Sequence, residues 1–246
     1  MNYEKLIIFR PLLSSTITQG WAENRACIDN RGRIYGIARG KKCPGQSFYQ
    51  SVGLVGHNGY DISARTGEDI YHAATFAGWW RSEVDNMGGI GVDVVSNEPL
   101  FFAGTIPAEI KTTAIPHVQN GAVGFLHYVK MRYWHLHKAV GHERKAVTCG
   151  TVVGLAGNTG ASSATHLHFA PKWCLKDGRS VANDNGFNGA FDPGPYYTHS
   201  VTAKYHSDNL TKTAIPLSPI EAKDMYATLS RLQMMIISLQ KLRNML

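Results

Sequence analysis

Two short segments carry the residues best suited to chemistry: His57-Asn58-Gly59-Tyr60-Asp61 and His166-Leu167-His168. Together they offer imidazole nitrogens and a carboxylate oxygen, donor types that bind zinc. Structural zinc closes its tetrahedron with four ligands, often cysteines, whereas catalytic zinc takes three protein ligands and leaves the fourth position to water. Histidines with one aspartate, in a chain without Cys-x-x-Cys, suit the open kind. Successive side chains on a strand point to opposite faces, so His166 and His168 share a face while Leu167 turns toward a core. One imidazole can then hold a metal while its neighbour stands beside the water. Gly and Pro are absent from 165–169, as a strand requires. Gly59 makes the first segment a tight loop or a strand end. His-x-His by itself says little, since the chain holds a second copy, His135-Leu136-His137.

Context raises the signal. Gly150 to Gly160 reads as a short apolar strand and a Gly-rich turn, and Ala161-Ser162-Ser163-Ala164-Thr165 leads into the His strand. Upstream stand Gly88-Gly89-Ile90-Gly91 and Tyr133-Trp134-His135-Leu136. With His57 to Asp61, Gly157 to Ser162 and His166-Leu167-His168-Phe169, five motifs follow in order. In these the chain resembles the lysostaphin-type zinc endopeptidases, which cut peptide cross-links of bacterial peptidoglycan. The resemblance covers roughly residues 17–171. It implies that His57, Asp61 and His168 are the ligands of one Zn2+, and that His135 and His166 are the two non-ligand, catalytic histidines flanking the bound water.

The chemistry this implies is hydrolysis. Zinc lowers the pKa of its water from 15.7 to about 7 and polarises a carbonyl. An imidazole can take the water proton and pass it to the leaving amine, help typically worth about 10²- to 10⁴-fold. The His-Glu-x-x-His motif is absent, because His142-Glu143 is followed by Ala146 where the second His belongs, so no Glu base is available. His135 and His166 carry that work jointly, and the sequence does not divide acid, base and oxyanion roles between them.

Other residues are less defined. Residues 97–121 hold Pro99, Pro107 and Pro116 and read as a long loop, either a wall of the substrate groove or a harmless insertion. His137 shares a face with His135 on a regular strand, and lines the groove or is simply solvated. His72, His117, His127, His142, His199 and His206 lie in no motif and read as structural or exposed. Cys27 and Cys43 either close a small loop or stay as free buried thiols, and Cys149 and Cys174 have no ligand spacing. Of Trp79, Trp80, Tyr133, Trp134 and Trp173, some line a groove and more belong to the core.

These residues need a scaffold. The chain has 246 residues, 43% hydrophobic, with 25 Gly between short apolar runs. The expected fold is mainly β, an antiparallel-sheet peptidase domain with a zinc groove, plus a C-terminal α-helix. Expected strands are 91–96, 124–135, 151–156 and 165–170. The peptidase domain spans 1–206, a polar linker 207–217, and an amphipathic helix 218–246. Ser218, Pro219 and Glu221 form a capping box. Met225, Leu229, Leu232, Ile236 and Leu239 recur near heptad spacing. That stripe packs on the chain's own domain, or forms a coiled coil for self-association or docking to a larger assembly.

The net charge is +7, which draws anionic polymers. No nucleic-acid motif accompanies it, so the bacterial wall, peptidoglycan above all, is the expected partner. No segment is long enough to span a membrane. No signal peptide is evident, since Arg10 and Pro11 stop the apolar run 6–9. The expected location is therefore a phage virion, or an extracellular or periplasmic site at the wall, with wall penetration or lysis as the task. Two rivals are a catalytically silent structural or wall-binding module on the same fold, and a zinc peptidase acting on protein.

Overall fold

The computed structural model describes residues 2–13 and 16–213. Its axis is one long strand, Ala122–Ala139, whose 18 residues form the widest part of an antiparallel sheet. Apolar and polar residues alternate along it. Val129, Met131 and Tyr133 enter the hydrophobic core, while Lys130, Arg132 and Trp134 face the other way. Gly89–Ser96 pairs with it on one side and His166–Cys174 on the other. Gly78–Asp85 extends the sheet beyond the first, and Tyr60–Ser63 and Ile17–Gln19 beyond the second. Val152–Ala156 pairs with the end of the long strand. A mainly β, antiparallel fold is thus observed, and all four expected strands are present, each shifted or longer at its ends.

The register decides what meets what. Within this sheet Trp134 lies opposite His168, and His168 lies opposite Asp61. Residues paired across antiparallel strands share a face. The two zinc-type segments are therefore brought side by side by strand pairing, though 107 residues separate them. Leu167 and Phe169, fully buried on the opposite face, fix that register, because a slip by one residue would expose both.

Three expectations change. Residues 97–121 are not a loop: Leu100–Ala103 and Ile115–Gln119 both pair with Ala122–Ala139, where Phe102 packs with Phe125 and Trp173. The prolines lie outside the first strand and on an edge strand, where a missing N–H is tolerated. Residues 207–213 belong to the helix Ala203–Thr213 rather than to a turn-forming linker. Thr202 starts it by accepting the Tyr205 N–H at 3.2 Å, and neither Gly nor Pro interrupts 203–213. His137 does not share a face with His135, for the reason given below. The helix expected over 218–246 lies outside the described residues. Among those described, no helix is long and apolar enough to cross a membrane.

Cys27 and Cys43 form a disulfide with a Cα–Cα distance of 5.7 Å, whereas Cys149 and Cys174 are free. The bridge ties a small three-stranded sheet, Ala26–Ile28, Ile34–Gly36 and Gln46–Ser47, that stands beside His57 in the chain's path.

Candidate metal centre

His57 precedes the strand Tyr60–Ser63 and is pinned by its own backbone. Its N–H donates to the Glu23 carbonyl at 3.0 Å, and its carbonyl accepts from Ala22 at 2.8 Å. The ring Nδ1 donates to the Gly20 carbonyl at 2.9 Å, which leaves a lone pair on Nε2. That Nε2 lies 3.0 Å from His168 Nδ1 and 3.0 Å from Asp61 Oδ1. His168 Nδ1 lies 3.1 Å from the same oxygen. The three atoms form a nearly equilateral triangle. Ligands on a tetrahedral zinc at about 2.0–2.1 Å stand roughly 3.3 Å apart, so the triangle has the right size. Gly59 permits this closeness: a Cβ there would lie 2.6 Å from the Phe169 carbonyl and 2.9 Å from His168 Cε1. His57, Asp61 and His168 thus form a group able to hold a metal ion.

Two more imidazoles stand beside the triangle. His166 Nε2 is 3.5 Å from Asp61 Oδ1, and its Nδ1 donates to the Ala164 carbonyl at 2.8 Å. The His135 ring lies 4.6 Å from the His166 ring and 6.1 Å from the His168 ring, centre to centre. Its Nδ1 donates to the Thr159 carbonyl at 2.7 Å. In both rings Nδ1 is therefore engaged, and Nε2 is the nitrogen that faces the site.

His135 reaches this position through a break in the strand. Its φ is 61°, a left-handed conformation uncommon for a residue with a side chain. The pairing with Gly89–Ser96 shifts register between Tyr133 and Leu136. This break ends the alternation, so His135 is buried in the site and His137 is exposed. The strained turn is held from outside, as such conformations need to be. His135 N–H donates to the Gly88 carbonyl at 2.9 Å, and Thr159 Oγ1 donates to the Leu136 carbonyl at 2.8 Å. Asp85 accepts from the N–H groups of Met87 and Gly88. The Gly88-Gly89-Ile90-Gly91 motif has a steric reason here, since a Cβ at Gly88 or Gly91 would strike the Trp134 indole at 2.1 and 2.2 Å. Thr159 belongs to the Gly157 to Ser162 motif, which the sequence marks without revealing its bracing role, whereas Asp85 has no sequence signal.

Electrostatics separate the members. Burial opposes charge on Asp61, yet His57 and hydrogen bonds from His166 and His168 hold its carboxyl well below the usual range. Burial pushes His168 down to about 3, against the pull of Asp61. Burial and then His166 push His135 down to about 4. For His166 burial acts downward, but the hydrogen bond and charge of Asp61 prevail and raise it. The five residues line a cavity of about 500 Å³, whose further walls include Tyr35 and Phe48 from the disulfide-tied region and Trp134 from the sheet. Among the other aromatics, Trp80, Tyr133 and Trp173 are core. His72 is buried, bonded to Tyr133 Oη and the Phe76 carbonyl, each at 3.0 Å.

No family model matches the sequence, and no curated protein does. Solved structures similar to the chain include the catalytic domain of the antimicrobial peptidase lysostaphin from Staphylococcus simulans, with 20% identity and a TM-score of 0.38 over 57% of this chain and 78% of that one. The likeness is to lysostaphin-type peptidase structures. A zinc-containing peptidase from Vibrio cholerae matches with 19% identity and a TM-score of 0.36 over 64% of this chain and 45% of that one. A SpoIIQ–SpoIIIAH pore-forming complex matches with 16% identity and a TM-score of 0.40 over 80% and 92%.

Proposed function

We propose that the chain is a zinc-dependent endopeptidase that hydrolyses peptide cross-links of bacterial peptidoglycan. The observation that carries the reading is the convergence of three atoms of zinc-ligand type, His57 Nε2, Asp61 Oδ1 and His168 Nδ1, at 3.0–3.1 Å with two further imidazoles beside them. That donor set and spacing are ones that zinc accepts. When bound there, zinc would acidify water and polarise a peptide carbonyl.

The chain's own residues supply the rest. Gly20 and its carbonyl aim His57, and Asp61 and His168 are aimed by strand register. His135 and His166 present Nε2 into the cavity, where each can accept a proton from water or return one to the leaving amine. The Thr159 and Ala164 carbonyls hold the other ring nitrogens, so each ring turns its Nε2 inward. Tyr35, Phe48 and Trp134 wall the cavity and limit water around the peptide.

All five motif positions are filled, which favours an enzyme over a silent module on the same fold. Peptidoglycan is favoured over protein by the motif resemblance and the +7 charge. Action from a phage particle, docked or self-associated through residues 218–246, is part of the proposal. Detection of the protein in purified particles by mass spectrometry tests it, and its absence there removes the virion version. The enzyme is tested by mass spectrometry of fragments released from purified peptidoglycan, with and without a zinc chelator. Chelator-sensitive release of peptides with new amino termini is expected. No release from several wall types by zinc-loaded protein would contradict the reading.

A further inference from the structure

A second cavity, of about 720 Å³ against about 500 Å³ for the first, lies at the other end of the long strand. Leu126 and Tyr128 line it from the strand face that also carries Trp134. Six residues separate Tyr128 from Trp134, roughly 20 Å of strand. The 97–121 insertion supplies Asn97, Pro99, Thr113 and Ile115 to this cavity and no lining residue to the first. The insertion is therefore a wall, but of a different site.

The lining of that site is largely apolar, with three cations, Arg144, Lys176 and Arg179, and one carboxylate, Asp177. Ile115, Leu126 and Pro99 give it an aliphatic side. The Arg144 guanidinium lies on the Trp79 ring, 3.7 Å from its centre. The turn that holds it there is braced against the sheet. Arg144 N–H donates to the Trp80 carbonyl at 2.9 Å, and Trp80 N–H donates to the Lys145 carbonyl at 2.8 Å. The neighbouring Glu143 carboxylate accepts from the Ser82 N–H at 2.8 Å and so is engaged away from Arg144. Arg144 itself takes a left-handed φ of 62°, which this bracing maintains. Lys176 is a second rim cation, whereas Arg179 is answered by Asp177 at 2.7 Å. Among the described residues no carboxylate pairs with Arg144 or Lys176 within ion-pair distance.

We propose that this cavity is a second binding site, for an acidic peptide: its aliphatic side chains rest on Ile115, Leu126 and Pro99, and a carboxylate meets Arg144 and Lys176. A planar guanidinium held flat is preorganised for a carboxylate, which it can bind through two parallel hydrogen bonds. A sugar ring is the poorer occupant, because Arg144 already covers the Trp79 face on which it would stack. The source of the peptide rests on the proposed function. In the wall it is a stem peptide, held here while a cross-link lies in the first cavity.

The test is calorimetric titration of the full-length, zinc-loaded protein with a soluble acidic stem tetrapeptide, its fully amidated form, a neutral N-acetylglucosamine oligomer and inorganic phosphate. The acidic peptide should bind. Arg144→Ala with Lys176→Ala should weaken it about tenfold or more, and amidation should do the same. Cleavage of a short soluble substrate should not change in the double variant. Arg144→Lys, which keeps the charge and loses the fork, should fall between. Equal affinity of the wild type and the double variant, equal affinity for the amidated peptide, or tighter Arg144-dependent binding of the sugar or of phosphate would each overturn the proposal. Wall cleavage without Arg144-dependent peptide binding removes this site and leaves the enzyme. Arg144-dependent binding without wall cleavage does the reverse.

Discussion

Two buried charged clusters lie on the same face of the sheet, and they differ in what surrounds the carboxylate. Asp93 is fully buried and receives Arg132 through two hydrogen bonds of 2.7 Å, with Lys130 Nζ at 2.7 Å. Lys130 also donates to the Gly178 carbonyl at 3.1 Å, and Arg132 stacks on Trp134 at 4.7 Å. Both oxygens of that carboxylate face a cationic donor. Three strands across the sheet, Asp61 faces three imidazoles, and His57 has already spent its proton on Gly20. The first cluster is an ion pair closed by the chain's own cations, whereas the second sets one carboxylate among imidazole nitrogens, the donor set that zinc takes. A buried charge is tolerated only when paired, so Asp93 with its two cations reads as scaffold, and Asp61 with two histidine ligand atoms beside it is the proposed metal site.

The largest expected effect tests the histidine–aspartate cluster. His168→Ala should lose both zinc and activity, read by metal analysis and peptide release. Full zinc occupancy in that variant would overturn the ligand assignment. His135→Ala or His166→Ala should keep zinc and lose about 10²- to 10⁴-fold in turnover, the usual worth of a positioned acid or base. Loss of zinc instead would place that histidine among the ligands.

The Asp93 cluster should answer differently. Arg132→Ala leaves Asp93 buried without its main partner and should cost about 3–5 kcal/mol of stability. Zinc stoichiometry of the folded fraction should stay at one, and denaturant unfolding checks the first figure. The cluster also sets a pH dependence. Burial resists charge on Asp93, but Arg132 and Lys130 prevail and hold its pKa far below the usual value. A depressed carboxyl pKa gives stability that is present above the unfolded-state value of about 3.9 and is lost as pH falls below it. Stability of the wild type should therefore drop below about pH 4 more steeply than that of Asp93→Asn. Equal slopes would remove Asp93 from the account.

The smallest effect sharpens the support of the site. Thr159→Ala should leave zinc bound and cut turnover about tenfold to a hundredfold, the scale on which orienting partners act, and Thr159→Ser should restore most of it. Its hydroxyl bonds the Leu136 carbonyl and accepts from the Ile90 N–H, so it braces the His135 turn from both sides. Equal loss in both variants would mean that the methyl group, not the hydroxyl, matters.

Much of this site was legible because strand physics is local. Period-two alternation put His166 and His168 on one face, and the core residues Leu167 and Phe169 fixed the register that brings Asp61 alongside. What stayed hidden depended on distant contacts. Nothing in Tyr133-Trp134-His135 signals a left-handed residue, since the turn is imposed by Gly88 and Thr159 from elsewhere in the chain. This is why His137 parts from the face of His135. The 97–121 segment reads as a loop because its prolines sit at strand edges and turns, while its pairing with Ala122–Ala139 adds partners that no local pattern announces. The Cys27–Cys43 bridge likewise depends on a small sheet that brings two Cα atoms to 5.7 Å.

Metal stoichiometry across the two clusters tests the central claim most directly. Elemental analysis of the dialysed wild type, His135→Ala, His168→Ala and Arg132→Ala proteins should give one zinc per folded chain in all but His168→Ala, which should give none. A wild type that takes up no zinc, or a His168→Ala variant that keeps its full share, would contradict the account.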